Sequence, residues 1–468
     1  MNAKISRLFT VIMVLSTLVG MVNAYANPTG ADIYNPHGNG VVKLSGHLVQ
    51  DKIHLYGDGI FELNLELNAG QESYRTHSAE KNVDIVLVLD RSGSMQGKKL
   101  QFTVQAVTDL IAMLSPDDRL SLITYSDEVR RHAPLLYLTS RNRAMFRGMI
   151  QAIYAGGSTN LGGGLRAGLD TILQNPEGTR IRKVILISDG LANRGIIDPW
   201  ALGRMASIAL EEDFSVATVG VGDSFNEQLM AHIADQGAGT YHYLENPDAF
   251  AAVFKHEIMK SRYVAATSLE VHIPKTPGVQ LVSAGGFPVK EYRDHYTVYP
   301  GNLLAGQSRK LFLRFQASTG TGATYTLKGI WLSYVNQGTF YRELLQKPFT
   351  VSCVEDRKEV LSSIHKKAWE EKVIKEDYNR LREAVAADVK AGDEEKAMQK
   401  IETYYQQKRE LNATVNSEPV GKNLDQDIDG LKSMVRETFQ GSPSAVSRKQ
   451  KSNAKSLQYE GYRQRRDK

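Results

Sequence analysis

Asp90-Arg91-Ser92-Gly93-Ser94 brings one carboxylate and two hydroxyls into a single short segment. All are hard oxygen donors, suited to a Mg²⁺-like ion and not to a soft metal. Gly93 lets the backbone turn sharply between the serines. Two further segments carry matching chemistry. Gly156-Gly157-Ser158-Thr159-Asn160 offers the Thr159 hydroxyl, and Ser188-Asp189-Gly190 offers a second carboxylate. Asp90, Ser92, Ser94, Thr159 and Asp189 together supply five oxygens, one short of an octahedron, and water or a carboxylate from a partner completes it. The alternative, that Asp90 and Asp189 only cap loops, leaves the grouping of hydroxyls with carboxylates unexplained.

Other motifs carry less. Asp425-x-Asp427-x-Asp429-Gly430 matches the opening of a calcium loop, but its twelfth position is Arg436 where a bidentate glutamate is needed, so a capped, solvated acidic turn is expected. Gly162-Gly163-Gly164 is followed by no Gly-Lys-Ser/Thr, which argues against nucleotide binding. The eleven histidines contain no H-E-x-x-H, and Ser188 lacks a G-x-S-x-G elbow. Cys353, the only cysteine, ends a predicted strand and is expected to be buried; no intramolecular disulfide can form.

The elements that must position these residues are readable from hydrophobic period. Val83–Leu89 is nearly all apolar and β-branched, a central strand buried on both faces, and Asp90 follows it directly. Leu100, Val104, Val107, Ile111 and Leu114 recur at helical spacing. Further strands are expected at 119–125, 183–188, 215–221 and 240–243, and helices at 141–153, 161–173, 200–210, 227–234 and 247–260. Strands alternating with crossover helices specify an α/β fold with a doubly wound, mostly parallel sheet. In such a sheet ligands bind at the carboxyl ends of strands, where Asp90 and Asp189 fall.

With those residues in place, the chain resembles von Willebrand factor A domain proteins with a metal-ion-dependent adhesion site, of an exported bacterial type. Val88–Met95 (VLDRSGSM), Gly157–Leu161 (GSTNL) and Ile187–Gly190 (ISDG) fit that pattern in order and spacing. The resemblance covers about residues 80–260, under half the chain. It implies that Ser92, Ser94 and Thr159 bind the ion directly, and that Asp90 and Asp189 bind it directly or through water. Mg²⁺ is the implied cofactor, with Mn²⁺ or Ca²⁺ as alternatives. An ion held mostly by neutral donors stays electrophilic, so the implied partner is a protein presenting an Asp or Glu carboxylate.

Around this unit, residues 27–79 and 262–352 are written in short alternating runs typical of strands. Each half lacks a core of its own, so the two are expected to pair as a β-sandwich-like domain around the inserted domain at 80–261; two separate small β units are the alternative. Residues 353–440 are expected to form a helical hairpin and a further helix. In it Ile374, Tyr378, Leu381 and Val385 make a narrow stripe, read as internal packing in preference to a partner site, and Gly392-Asp393 a stop and new cap. The segment 441–468, rich in Ser, Gln and Lys, is expected to be a disordered basic tail.

The 468 residues are 42% hydrophobic and 23% charged, which excludes global disorder and collagen. Lys4 and Arg7 precede the apolar run Leu8–Val22 and an Ala24-Tyr25-Ala26 site, so residues 1–26 are expected to be a signal peptide cleaved after Ala26, in preference to a retained anchor. The mature protein is then expected to be secreted or periplasmic and not membrane-spanning. The net charge of +5 falls to +3 without that segment, and the stretch Ser447–Lys468 carries +6, leaving −3 on the body. That removes the basis for nucleic-acid binding; the tail itself suits anionic surface polymers or lipid headgroups, or serves solubility. The sequence specifies no oligomeric state. The expected function is a metal-dependent protein-binding or adhesion module without catalysis. Its rivals are an envelope assembly or scaffold factor docking through the C-terminal helices, and a cryptic hydrolase in the flanks, for which no nucleophile–base pair is evident in sequence.

Overall fold

The computed structural model describes residues 40–70, 81–177, 180–189, 192–222, 225–244 and 262–466. The expected targeting segment and the expected helix at 247–260 lie outside them, as does Gly190.

Three strands come first: β1 (Val42–Leu48), β2 (Lys52–His54) and β3 (Ile60–Ala69). The α/β unit follows as β4 (Val83–Asp90), α1 (Lys98–Met113), β5 (Arg119–Tyr125), β6 (Val129–Tyr137), α2 (Ser140–Gln151), α3 (Leu161–Leu173), β7 (Ile181–Ser188), α4 (Pro199–Ala206), β8 (Ser215–Val221), α5 (Glu227–Gln236) and β9 (Ala238–Leu244). Its sheet runs β6-β5-β4-β7-β8-β9 and is parallel except at the β5–β6 edge. All eight residues of β4 are buried, as its continuous apolar run requires at the centre of a doubly covered sheet. Separate apolar clusters fill the two faces, Leu87 and Val107 in one, Val88 and Leu165 in the other. The antiparallel strand β6 was not anticipated: Pro134 and its charges read poorly as a strand, but an edge strand tolerates both.

Ten further strands follow: β10 (Val264–Pro274), β11 (Val279–Ala284), β12 (Val289–Glu291), β13 (His295–Val298), β14 (Leu303–Leu304), β15 (Ser308–Ala317), β16 (Thr324–Leu327), β17 (Trp331–Asn336), β18 (Thr339–Leu344) and β19 (Phe349–Val354). Strands from before and after the α/β unit share sheets. β3 lies antiparallel to β15, with Leu63 opposite Leu313 and Leu65 opposite Leu311, in the order β1-β3-β15-β11. β2 pairs in parallel with β19. One apolar cluster joins Phe61 and Leu65 to Val271, Phe315 and Leu332, and Phe61 stacks on Phe315. Cys353 is buried in the same cluster.

The C-terminal part is helical: α6 (Arg357–Ser362), α7 (Lys366–Lys372), a π-helical turn at Val373–Asp377, α8 (Tyr378–Ala391), α9 (Glu394–Val415), α10 (Glu418–Lys422), a second π turn at Asn423–Asp427, α11 (Ile428–Thr438) and α12 (Pro443–Arg466). Gly392 ends α8 in the left-handed conformation and Asp393 caps α9 by accepting from Lys396 N at 2.9 Å. Leu381 and Val385 are buried in the helical core, with Ile374 and Tyr378 packed against it, so the stripe is internal. Asp425, Asp427 and Asp429 lie on the second π turn and the start of α11, not on a loop.

The expectation of a disordered tail at 441–468 is corrected by α12, a helix of 24 residues. Ala454, Leu457 and Tyr462 give it a buried face at helical spacing, hidden in the sequence by the density of Lys and Arg. Those cations meet carboxylates of other elements: Lys455 reaches Glu227 at 3.5 Å, Arg465 reaches Glu383 at 2.8 Å and Arg466 reaches Asp235 at 3.1 Å. Composition predicts disorder when charges have no partners; here each of these charges has one. Among the described residues no helix is long and apolar enough to cross a membrane.

Candidate metal centre

The site forms at the carboxyl ends of β4 and β7. Asp90 closes β4 and Asp189 follows β7, its parallel neighbour. A third segment, between α2 and α3, is tied to both. Gly156 N donates to Arg91 O at 2.8 Å and Gly93 N to Gly157 O at 2.9 Å. Asn193, beyond β7, accepts from Thr159 N through Oδ1 at 2.8 Å and donates its own N–H to Thr159 O at 3.2 Å. Asn160 then caps α3, accepting from Gly163 N at 3.0 Å. The glycines of α3 work in packing: a Cβ at Gly164 would come 2.5 Å from the Tyr125 ring, and one at Gly168 2.7 Å from Val88. They let α3 rest directly on β4 and β5, which sets Thr159 over the strand ends.

The side-chain oxygens of Ser92, Ser94 and Asp189 form a linked set, while Thr159 is held beside them by its backbone bonds to Asn193. Ser92 Oγ and Ser94 Oγ are 3.0 Å apart, and Ser94 Oγ donates to Asp189 Oδ1 at 2.7 Å. Asp90 accepts from Ser92 N at 2.8 Å and from Ser188 Oγ at 2.7 Å. Asp90, Ser92, Thr159 and Asp189 are buried, whereas Ser94 is open to solvent. Thus all five expected residues lie on the three interlocked segments. Burial pushes the Asp90 carboxyl above its usual range, opposed by the hydrogen bonds from Ser92 and Ser188. Burial likewise raises the phenol of Tyr125, reinforced by the charge of Asp90.

Sequence reasoning missed three participants. Lys99, on α1, forms an ion pair with Asp189 Oδ2 and reaches Ser94 O at 3.3 Å. Ser188 and Asn193 hold Asp90 and Thr159. Ser188 was readable, since the residue before Asp189 shares its strand end; Lys99 and Asn193 depend on how α1 and the loop after β7 fold back. Asp90 has no ion-pair partner among the described residues.

The donor set suits a hard divalent cation. Two buried carboxylates face a single ammonium, so the centre is short of positive charge, and its neutral donors are hydroxyls. Among the described residues no group of three or more His, Cys, Asp or Glu converges to hold a metal, at this centre or elsewhere; the donors here are two carboxylates and hydroxyls. Tyr154, just ahead of the segment carrying Thr159, and Ile197 and Trp200, beyond β7, are 74%, 54% and 69% exposed. Arg91 lies 5.8 Å from the Tyr154 ring centre.

Comparison with known proteins places this unit. Residues 84–256 match the model of the von Willebrand factor type A domain. The chain is 24% identical over 286 residues to the uncharacterized protein sll0103 of Synechocystis sp., covering 59% of this chain and 67% of that one. It is 28% identical over 196 residues to the uncharacterized protein YfbK of Escherichia coli, covering 42% of this chain and 34% of that one. The chain thus spans about two thirds of one relative and one third of the other. A solved von Willebrand factor type A protein from Catenulispora acidiphila shares the fold over 92% of this chain and 99% of its own, with a TM-score of 0.67 and 16% identity. That overlap takes in the strand-rich region and C-terminal helices as well as the α/β unit. Residues 84–256 of this chain are therefore a von Willebrand factor type A domain.

Proposed function

We propose that this protein is an exported, divalent-metal-dependent protein-binding module. Ser92, Ser94 and Thr159 hold Mg²⁺ directly, with Asp90 and Asp189 binding it directly or through water; Mn²⁺ or Ca²⁺ fit the same donors. The ion's remaining position takes an Asp or Glu carboxylate of a partner protein. The observation that carries this reading is the linked set Ser92–Ser94–Asp189, with Ser94 open to solvent where a ligand arrives. The exposed Tyr154, Ile197 and Trp200, in the chain that follows α2 and β7, offer a partner apolar contact area. No catalytic step is assigned to the protein. The rival reading, docking through the C-terminal helices, loses its best surface because the Ile374–Val385 stripe is packed inside.

Calorimetric titration of the metal-free protein with MgCl₂ and MnCl₂ tests the ion. Saturable binding that disappears in Ser94→Ala is expected, and no binding by wild type overturns the reading. Capture of a partner from the native envelope fraction, reversed by chelator, tests the second half.

A further inference from the structure

A second polar site lies far from the centre in sequence and outside the von Willebrand factor type A domain. An open surface depression of about 540 Å³ lies between the π turn Val373–Asp377, α8 and α9, beside β15. Its wall carries six cations: Arg314, Lys372, Arg380, Lys396, Lys400 and Lys408. Four carboxylates neutralise them, and three are shared. Asp377 takes Lys372 at 2.6 Å and Lys408 at 2.5 Å. Glu62 takes Lys372 and Arg314, each at 2.9 Å, and Asp388 takes Lys400 at 2.6 Å and Lys396 at 3.7 Å. Glu376 pairs with Arg380. Of the four, only Asp377 lines the depression itself. Every cation has a carboxylate partner, but six cations against four carboxylates leave a formal excess of two positive charges.

The cation at the floor is built in. Lys372 is 6% exposed, and burial lowers its pKa against the pull of Asp377. The π turn is what brings Lys372 and Asp377, five residues apart, into contact, and such turns inside α-helices are frequent at functional positions. Along α9, Lys396, Lys400 and Lys408 stand beside Gln399, Thr403 and Gln407, so neutral hydrogen-bonding groups lie next to the charges. Leu381 and Ala384 supply an apolar strip on the facing wall.

We propose that this depression binds a small multivalent anion, phosphorylated or polycarboxylic, held by the shared lysines and arginines of α8, α9 and β15. The test uses the full chain, stripped of metal on a chelating resin so that the centre at Asp90 does not bind the probe. Inorganic pyrophosphate and citrate are titrated separately by calorimetry. One-to-one binding is expected, weakened at least tenfold in Arg380→Gln/Lys400→Gln. Both replaced side chains are partly exposed, and Asp388 and Glu376 keep Lys396 and Arg465 nearby. Lys328→Gln/Lys347→Gln removes the same charge at exposed positions elsewhere and should leave binding unchanged. Tighter pyrophosphate binding points to a phosphoryl ligand and tighter citrate binding to a carboxylate. If the double variant does not melt cooperatively, Lys400→Gln alone serves the same comparison. The absence of saturable binding by either anion, or equal weakening in the two double variants, overturns the proposal.

Discussion

Asp84 and Asp90 lie at opposite ends of β4, both fully buried, yet their surroundings differ in kind. Asp84 is clamped by two guanidinium groups: Arg119 through Nε at 2.8 Å and Nη2 at 2.5 Å, and Arg180 through Nε at 2.6 Å. Beside it Asp118 pairs with Arg262 and accepts from Val83 N at 2.9 Å. At the other end Asp90 is held by one backbone amide and one serine hydroxyl, and its neighbour Asp189 by a serine and a single lysine. One end is saturated with fixed cations; the other is organised by neutral donors and left electronegative. Burial of an aspartate therefore does not mark a binding site in this fold. The identity of its partners does, because fixed arginines leave nothing for an ion to neutralise.

The largest expected effect comes from the saturated end. Asp84→Ala removes the buried carboxylate shared by Arg119 and Arg180, leaving Arg119 the partly exposed Glu177 and Arg180 only backbone carbonyls, and should cost about 3–5 kcal/mol in equilibrium denaturation. Arg180 is only 8% exposed, so water cannot easily replace its partner. A loss below about 1 kcal/mol would erase the distinction between the two ends.

At the open end the effect should be conditional. Ser94→Ala alters an exposed loop residue and should change metal-free stability by no more than about 0.5 kcal/mol. Wild type at a hundredfold excess of Mg²⁺ over its dissociation constant should gain about 2.7 kcal/mol, and the variant should gain none. Thermal melts with and without the ion separate these outcomes. Equal stabilisation of both proteins would place the ion elsewhere.

The two ends were not equally legible. Asp90, Ser92, Ser94, Thr159 and Asp189 were readable because each is local: a strand end, a tight loop, the residue before a helix cap. The clamps at Asp84 and Asp118 were not, because Arg119, Arg180 and Arg262 come from separate parts of the chain and look like ordinary surface charges until the sheet forms. The same limit explains α12, whose basic residues looked solvated until Glu227, Glu383 and Asp235 were found opposite them. Pairing of β3 with β15 was inferable, since neither flank could cover its own apolar face. Long-range charge pairing leaves no period in a sequence, whereas apolar burial does.

Asp377 extends the comparison to a further aspartate, with a side chain only 9% exposed, clamped like Asp84 but by lysines. Burial opposes its ionisation, yet Lys372 and Lys408 outweigh that and hold it at about 2. This lies below the value of about 3.9 in an unfolded chain. The native state thus stays ionised longer on acidification. Its contribution, on the order of 2 kcal/mol, is complete above about pH 4 and is lost as pH falls towards 2. Urea unfolding at pH 5, 4 and 3 should show a declining stability in wild type and a flatter profile in Asp377→Asn. Parallel profiles would mean that the two lysines do not act on Asp377 as the geometry implies.

Lys99 is the smallest and most discriminating test, because among the described residues it is the one cation paired with a carboxylate of the open end. Its ammonium sits on Asp189 Oδ2, and its side chain remains 29% exposed. A partly solvated ion pair is worth about 1 kcal/mol or less. An entering divalent ion must share Asp189 with it, directly or through a bound water, so the ammonium and the metal compete for one carboxylate. Lys99→Met should therefore tighten Mg²⁺ binding by up to about tenfold, equivalent to ~1.4 kcal/mol, while Lys99→Arg should leave it near wild type. Calorimetric titration of the three proteins decides the sign. Weaker binding in Lys99→Met would mean that Asp189 needs a fixed cation to hold its geometry, as Asp84 does. The two ends of the sheet would then follow one rule, with the open end merely carrying fewer clamps.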